Sequence, residues 1–130
     1  MKQVSDDGGF EFPVDRKAGV AIVAIPNEAL SKVVDSAGRA TFLVDAQDAI
    51  EAVIGESDPP RVIIDFSGVQ IVSSGVIGLL IEMSRQAQSK GGKFVVAGLQ
   101  PHVSEVFSIA RLERVLNIQP TVDDALRAMD

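Results

Sequence analysis

Three short β-branched runs constrain this chain more than any other feature: Val20–Ile25 (VAIVAI), Arg61–Asp65 (RVIID) and Lys93–Ala97 (KFVVA). Near-continuous apolar runs of this length are the pattern of strands buried on both faces. Helical periodicity separates them. In Thr41–Ile54, the residues Leu43, Ala46, Ile50, Val53 and Ile54 share one face, while Asp45, Asp48 and Glu51 lie away from it. Thr41 is placed to cap that helix and Gly55 to end it. In Ser74–Lys90 the apolar positions Val76, Ile77, Leu80, Met83 and Ala87 recur at helical spacing, and Gly91-Gly92 supplies a left-handed exit. Pro101 precedes a short helix over His102–Ile109, Val115–Ile118 reads as a strand, and Thr121 caps a last helix with Asp123 and Asp124 in its first turn.

At the other end, residues 1–9 form a polar, Gly-rich tail, and the domain runs over 10–130. Phe10–Val14 is compatible with a short edge strand, and Lys17-Ala18-Gly19 with a turn. Asn27–Ala40 is weakly patterned. The resulting order, β-β-α-β-α-β-α-β-α, implies an α/β single domain with helices packed on a mostly parallel central sheet. Leu80, Met83 and Val95 are expected in its core.

Composition removes whole classes of function. Twelve Lys and Arg against 18 Asp and Glu leave a net charge of −6, and Arg111 with Arg114 is no basic cluster. Nucleic acid is therefore not an expected partner, since phosphate binding needs concentrated positive charge. Cysteine is absent and His102 is the single histidine, which excludes disulfides, thiolate nucleophiles and multi-histidine metal centres. No cofactor is implied. The chain shows neither a signal-peptide pattern nor an apolar stretch of the roughly 18–20 residues that a span requires. A cytoplasmic protein without direct membrane insertion is the expectation.

Enzyme signatures fare poorly. Ser73-Ser74 precedes a helix, but the nucleophile elbow needs glycine two residues before its serine, where Ile71 or Val72 stands. A hydrolytic set of Ser73, His102 and Asp65 is conceivable; a surface histidine in the first turn of a short helix is the simpler reading of His102. Gly75-Val76-Ile77-Gly78 resembles a GxxG clamp only as a string. Lys90-Gly91-Gly92-Lys93 reads as a helix-to-strand turn with solvated lysines. Ser73 itself has two readings: a serine at a helix start satisfies an orphan N–H, and the same position accommodates an added phosphate. Composition does not separate a cap from a switch.

The segment Ile63-Ile64-Asp65-Phe66-Ser67-Gly68-Val69-Gln70-Ile71-Val72-Ser73-Ser74-Gly75 resembles the strand–loop–helix core of the STAS domain, as found in bacterial anti-sigma factor antagonists. The similarity continues through Gly91–Pro101, into Val103, Val106-Phe107 and Leu112, and to Thr121–Leu126. Residues 60–129 are covered well, and 10–58 in element order. The resemblance implies a protein-interaction switch without catalysis, in which the unphosphorylated antagonist binds an anti-sigma factor that is often also its serine kinase. It maps the phosphoacceptor onto Ser73, with Ser74, Gly75 and Glu28 as neighbouring switch or partner-binding positions. Two positions depart from the family pattern: Val72 stands where an aspartate usually precedes the acceptor, and Leu30 where another is usual. The alternative is a non-phosphorylated STAS adaptor subunit of a sensor, transporter or lipid-trafficking complex.

Overall fold

The computed structural model describes residues 12–25, 42–70 and 72–129. Their elements are β1 (Val14–Lys17), β2 (Val20–Ala24), α1 (Phe42–Glu56), β3 (Arg61–Asp65), α2 (Ser74–Ser89), β4 (Lys93–Ala97), α3 (Pro101–Ile109), a 3-10 turn (Leu112–Arg114), β5 (Asn117–Gln119) and α4 (Val122–Ala128). The strands lie in chain order across one sheet. β1 is antiparallel to β2, and β2 through β5 run parallel. This is the α/β architecture that the element order implied.

Side-chain alternation explains why the strand sequences are almost wholly apolar. Ala21, Val23, Val62, Ile64, Phe94 and Val96 join the larger core beneath α1, α2 and α3. Their neighbours Val20, Ile22, Ile63, Val95 and Ala97 point the other way, into a smaller core closed by Ala125 of α4 and by Met129. Both faces are therefore buried, as a parallel sheet requires. Leu80, Met83 and Val95 are core residues, none more than 1% exposed. Ser73 and Thr121 both cap their helices, with Thr121 Oγ1 accepting from Asp124 N at 3.0 Å.

Three sequence expectations need correction. The edge strand is Val14–Lys17, not Phe10–Val14 (residues 10 and 11 lie outside the described residues). Its Asp15, Arg16 and Lys17 are tolerated because, among the described residues, β1 has a neighbour on one side only, and charge on an edge discourages further pairing. Ala18 (φ 54°) and Gly19 (φ 80°) then make a two-residue hairpin with both central residues left-handed. Gly55 does not end α1, which runs to Glu56 before Pro59-Pro60 interrupts it. The last strand is Asn117–Gln119: Val115, half exposed, closes the 3-10 turn that begins after left-handed Arg111. The expected Thr41 cap and the stretch 27–40 lie outside the described residues.

Candidate functional site

The candidate site is assembled where β3 and β4 end and α2 and α3 begin. After Asp65 the chain loops to Ser73, and two apolar side chains pin that loop from below: Phe66 (1% exposed) and Val69 (0%). Phe66 meets Phe107 of α3 edge-on, with ring centroids 6.1 Å apart. Val72, half-buried, packs against the same core. The Asp65 carboxylate turns back to accept from Ser67 N at 2.9 Å. Beside it Gly98 has φ +77°, and a Cβ there would approach Asp65 Oδ1 to 3.3 Å; glycine lets the two loops lie together.

Two side chains from the start of α3 hold the loop from outside. Gln100 Nε2 donates to Ser67 O at 2.6 Å, and His102 Nε2 is hydrogen-bonded to Gln70 O. Neither residue was assigned this role from sequence. Their partners are main-chain carbonyls some 30 residues away, which leave no local pattern to read.

Ser73 follows in extended conformation (φ −103°, ψ 163°) as the N-cap of α2. Its Oγ accepts from Val76 N at 3.2 Å and its carbonyl accepts from Ile77 N at 3.1 Å. The cap bond leaves the hydroxyl proton uncommitted, and Ser73, Ser74 and Gly75 are all exposed. The three are thus together in the first turn of α2, at the positive end of its dipole. No acidic side chain occupies that first turn. Glu28 lies outside the described residues, as does Leu30.

The hydrolytic combination is not assembled. Asp65 is turned to Ser67 N, His102 to Gln70 O and Ser73 to Val76 N, so the three are not hydrogen-bonded to one another. Among the described residues no cluster of His, Cys, Asp or Glu could hold a metal ion, and no helix is long and apolar enough to cross a membrane. What the geometry offers is an exposed hydroxyl at a helix start whose preceding loop is anchored by Phe66, Val69, Gln100 and His102.

The STAS domain family model matches residues 44–125. A Mycobacterium tuberculosis protein named as an anti-anti-sigma factor is 26% identical over 113 residues, covering 78% of this chain and 76% of that one. A Thermotoga neapolitana protein named as an anti-sigma factor antagonist is 27% identical over 66 residues; the match spans 51% of this chain and 58% of that relative's length. Among solved structures, an anti-sigma factor antagonist from Mycobacterium paratuberculosis superposes with a TM-score of 0.72 at 24% identity, covering 92% of each chain. The Bacillus cell-fate determinant SpoIIAA, in its phosphorylated form, gives 0.60 at 14% identity over 91% of this chain and 99% of that one. The murine anion transporter Slc26a9 gives 0.61 at 20% identity, over 88% of this chain and 18% of the transporter. These likenesses establish a shared fold. Since the family pattern itself extends from the first turn of α1 into α4, enclosing the Ser73 loop, the chain belongs to the STAS domain family.

Proposed function

We propose that this protein is an anti-sigma factor antagonist that works as a switch: it docks on an anti-sigma factor with serine-kinase activity through the start of α2, and phosphate on Ser73 ends the contact. The observation that carries this reading is the exposed Ser73 hydroxyl at the α2 cap, on a loop pinned from both sides. Relatives named as antagonists, and the shared fold of a determinant solved in phosphorylated form, support it. The protein catalyses nothing in this scheme. Its Ser73 Oγ attacks the terminal phosphorus of a nucleotide held by the kinase, an O–P bond forms, the bond to the nucleoside diphosphate breaks, and the hydroxyl proton leaves to the kinase's base.

The product carries about −1.5 to −2 charges at pH 7. At the α2 N-terminus that charge is compatible with the fold. Against a docked partner it is not, because an unpaired charge buried on association is expensive.

One observation favours the adaptor as a second reading. Val72, where the family usually places an aspartate, is half-buried against the core and brings no charge beside the acceptor. A non-switching subunit would tolerate that. Retention of a kinase-like anti-sigma factor from native lysate, and phosphate on Ser73 by mass spectrometry, favour the switch. With the retained partner, Ser73→Asp should weaken binding at least tenfold, about 1.4 kcal/mol, and Ser74→Asp should weaken it less. Equal affinity for wild type and Ser73→Asp would refute the switch and leave the adaptor.

A further inference from the structure

Cations scattered through the sequence converge at the end of the sheet opposite Ser73. On β1, Arg16 reaches α1 and pairs with Glu56, so Lys17 projects to the face that α4 covers. Lys17 is opposite Val20, and Arg61 is opposite Lys93; Val20, Ile63 and Val95 line the α4 face, which puts Arg61 and Lys93 on it too. Lys17, at the carboxyl end of antiparallel β1, and Arg61 and Lys93, at the amino ends of β3 and β4, thus form a row across one end of the sheet, with Arg127 of α4 above it. Lys17, Ala18, Val20, Arg61, Leu126 and Arg127 line a pocket of about 230 Å³, with no carboxylate in its wall.

The charges divide into two jobs. Arg61 Nη2 donates to Met129 O at 2.7 Å, and Lys93 Nζ lies 3.5 Å from Ala128 O and Met129 O, so these two answer the negative end of α4. Lys93 is not the purely solvated lysine expected from sequence. Arg61 Nη1 faces the hairpin, 3.8 Å from where a Gly19 side chain would begin. Arg127 leans on Asp124, its neighbour on exposed α4 surface. The Lys17 ammonium engages no carboxylate among the described residues. Among the described residues the nearest acids by position are Asp124 and, two residues along the same face of β1, Asp15; Asp130, which follows Met129, lies outside the described residues.

We infer that this pocket binds a phosphate group, free or as the head of a larger molecule. Its volume is below the roughly 300–1,000 Å³ of sites that enclose drug-sized ligands, which suits a group of that size. Lys17 and Arg127 supply charge from two sides, and the free edge of Arg61 supplies directed donors. A bound phosphate ties the β1–β2 hairpin, β3 and α4 together, at a distance from Ser73 and independently of what Ser73 does. Because Lys17 and Arg127 are exposed, affinity should be modest, with Kd on the order of 1 mM.

The test is a titration of the whole chain with inorganic phosphate at fixed ionic strength, followed through backbone amide resonances. Saturable shifts at Ala18, Gly19, Arg61 and Arg127 are expected. The double variant Lys17→Gln/Arg127→Gln, which leaves Arg61 and Lys93 on the carboxyl end of α4 and sets no like charges beside Asp124, should keep the wild-type amide spectrum away from the pocket and bind at least tenfold more weakly. Sedimentation with phosphatidylcholine vesicles that carry phosphorylated inositol lipid, but not with plain ones, would assign the phosphate to a lipid head; saturation without sedimentation would assign it to a soluble compound. Non-saturating shifts, or unchanged affinity in the double variant, would overturn the site.

Discussion

Replacing Gly92 by alanine tests how β3 and β4 come to start side by side. A Cβ on Gly92 would sit 2.1 Å from Pro60 O, 2.6 Å from Pro60 Cγ and 2.7 Å from Pro60 Cδ. Ordinary contact begins near 3.4 Å, so the two segments must separate by more than 1 Å. Pro60 O cannot simply swing aside, because it accepts from Lys93 N at 2.9 Å at the head of the β3–β4 ladder. Overpacking of this kind costs about 1–3 kcal/mol, and loss of the hydrogen bond adds about 0.5–1.5 kcal/mol. Gly92→Ala should therefore destabilise by about 1.5–4.5 kcal/mol. Gly91→Ala is the control: Gly91 has φ +75° but open space around it, so only the left-handed penalty of about 1–2 kcal/mol applies. Urea denaturation of both variants decides the matter. If Gly92→Ala loses no more stability than Gly91→Ala, the close approach of Pro60 is not what makes glycine necessary there.

Leu80→Ala, which empties a side chain 1% exposed between α2 and the sheet, should cost about 2–5 kcal/mol in the same assay; a loss under ~1 kcal/mol would contradict that packing. Ser73→Ala removes the cap oxygen from Val76 N and should cost roughly 0.5–2 kcal/mol while partner affinity survives, as melts and calorimetry would show. Glu51 accepts hydrogen bonds from Gln47 and Gln86, which hold its carboxyl below the usual glutamate range. Its contribution is present above the unfolded-state pKa and lost as pH falls through the lowered folded value; Glu51→Gln should make stability between pH 5 and 3 less steeply pH-dependent, and an unchanged slope would refute the assignment.

Much of the fold was legible because local and global signals agree. Thr121 before Asp123-Asp124, the α2 stripe through Leu80 and Met83, and the three apolar strands each state locally what the tertiary structure uses. Where the reading slipped, tertiary context outweighed the local pattern. Charged Asp15-Arg16-Lys17 concealed a strand that only an edge position tolerates. β-branched Val115 mimicked a strand although it closes a 3-10 turn. Gly91 and Gly92 looked like one left-handed exit, yet only Gly91 has a positive φ, and Gly92 is small because Pro60 crosses it. At the candidate site, Ser73 was visible as a cap, whereas Gln100 and His102 were not, since their partners are carbonyls. The basic row was equally hidden: no two of Lys17, Arg61, Lys93 and Arg127 are neighbours until the sheet is built.

The way Ser73 is held bears on how a switch there would act. Phe66 and Val69 anchor the loop in the core, Val72 packs beside them, and Gln100 and His102 tie its carbonyls to α3. The stretch Phe66–Gln70, fixed at these points, has little freedom to move when Ser73 gains charge. The first turn of α2 meanwhile offers free N–H groups and a favourable dipole to an added phosphate, so the modified state need not unwind the helix. Within the proposed switch, then, phosphate acts by changing the electrostatics of a surface that keeps its shape, and discrimination lies in what the partner must desolvate.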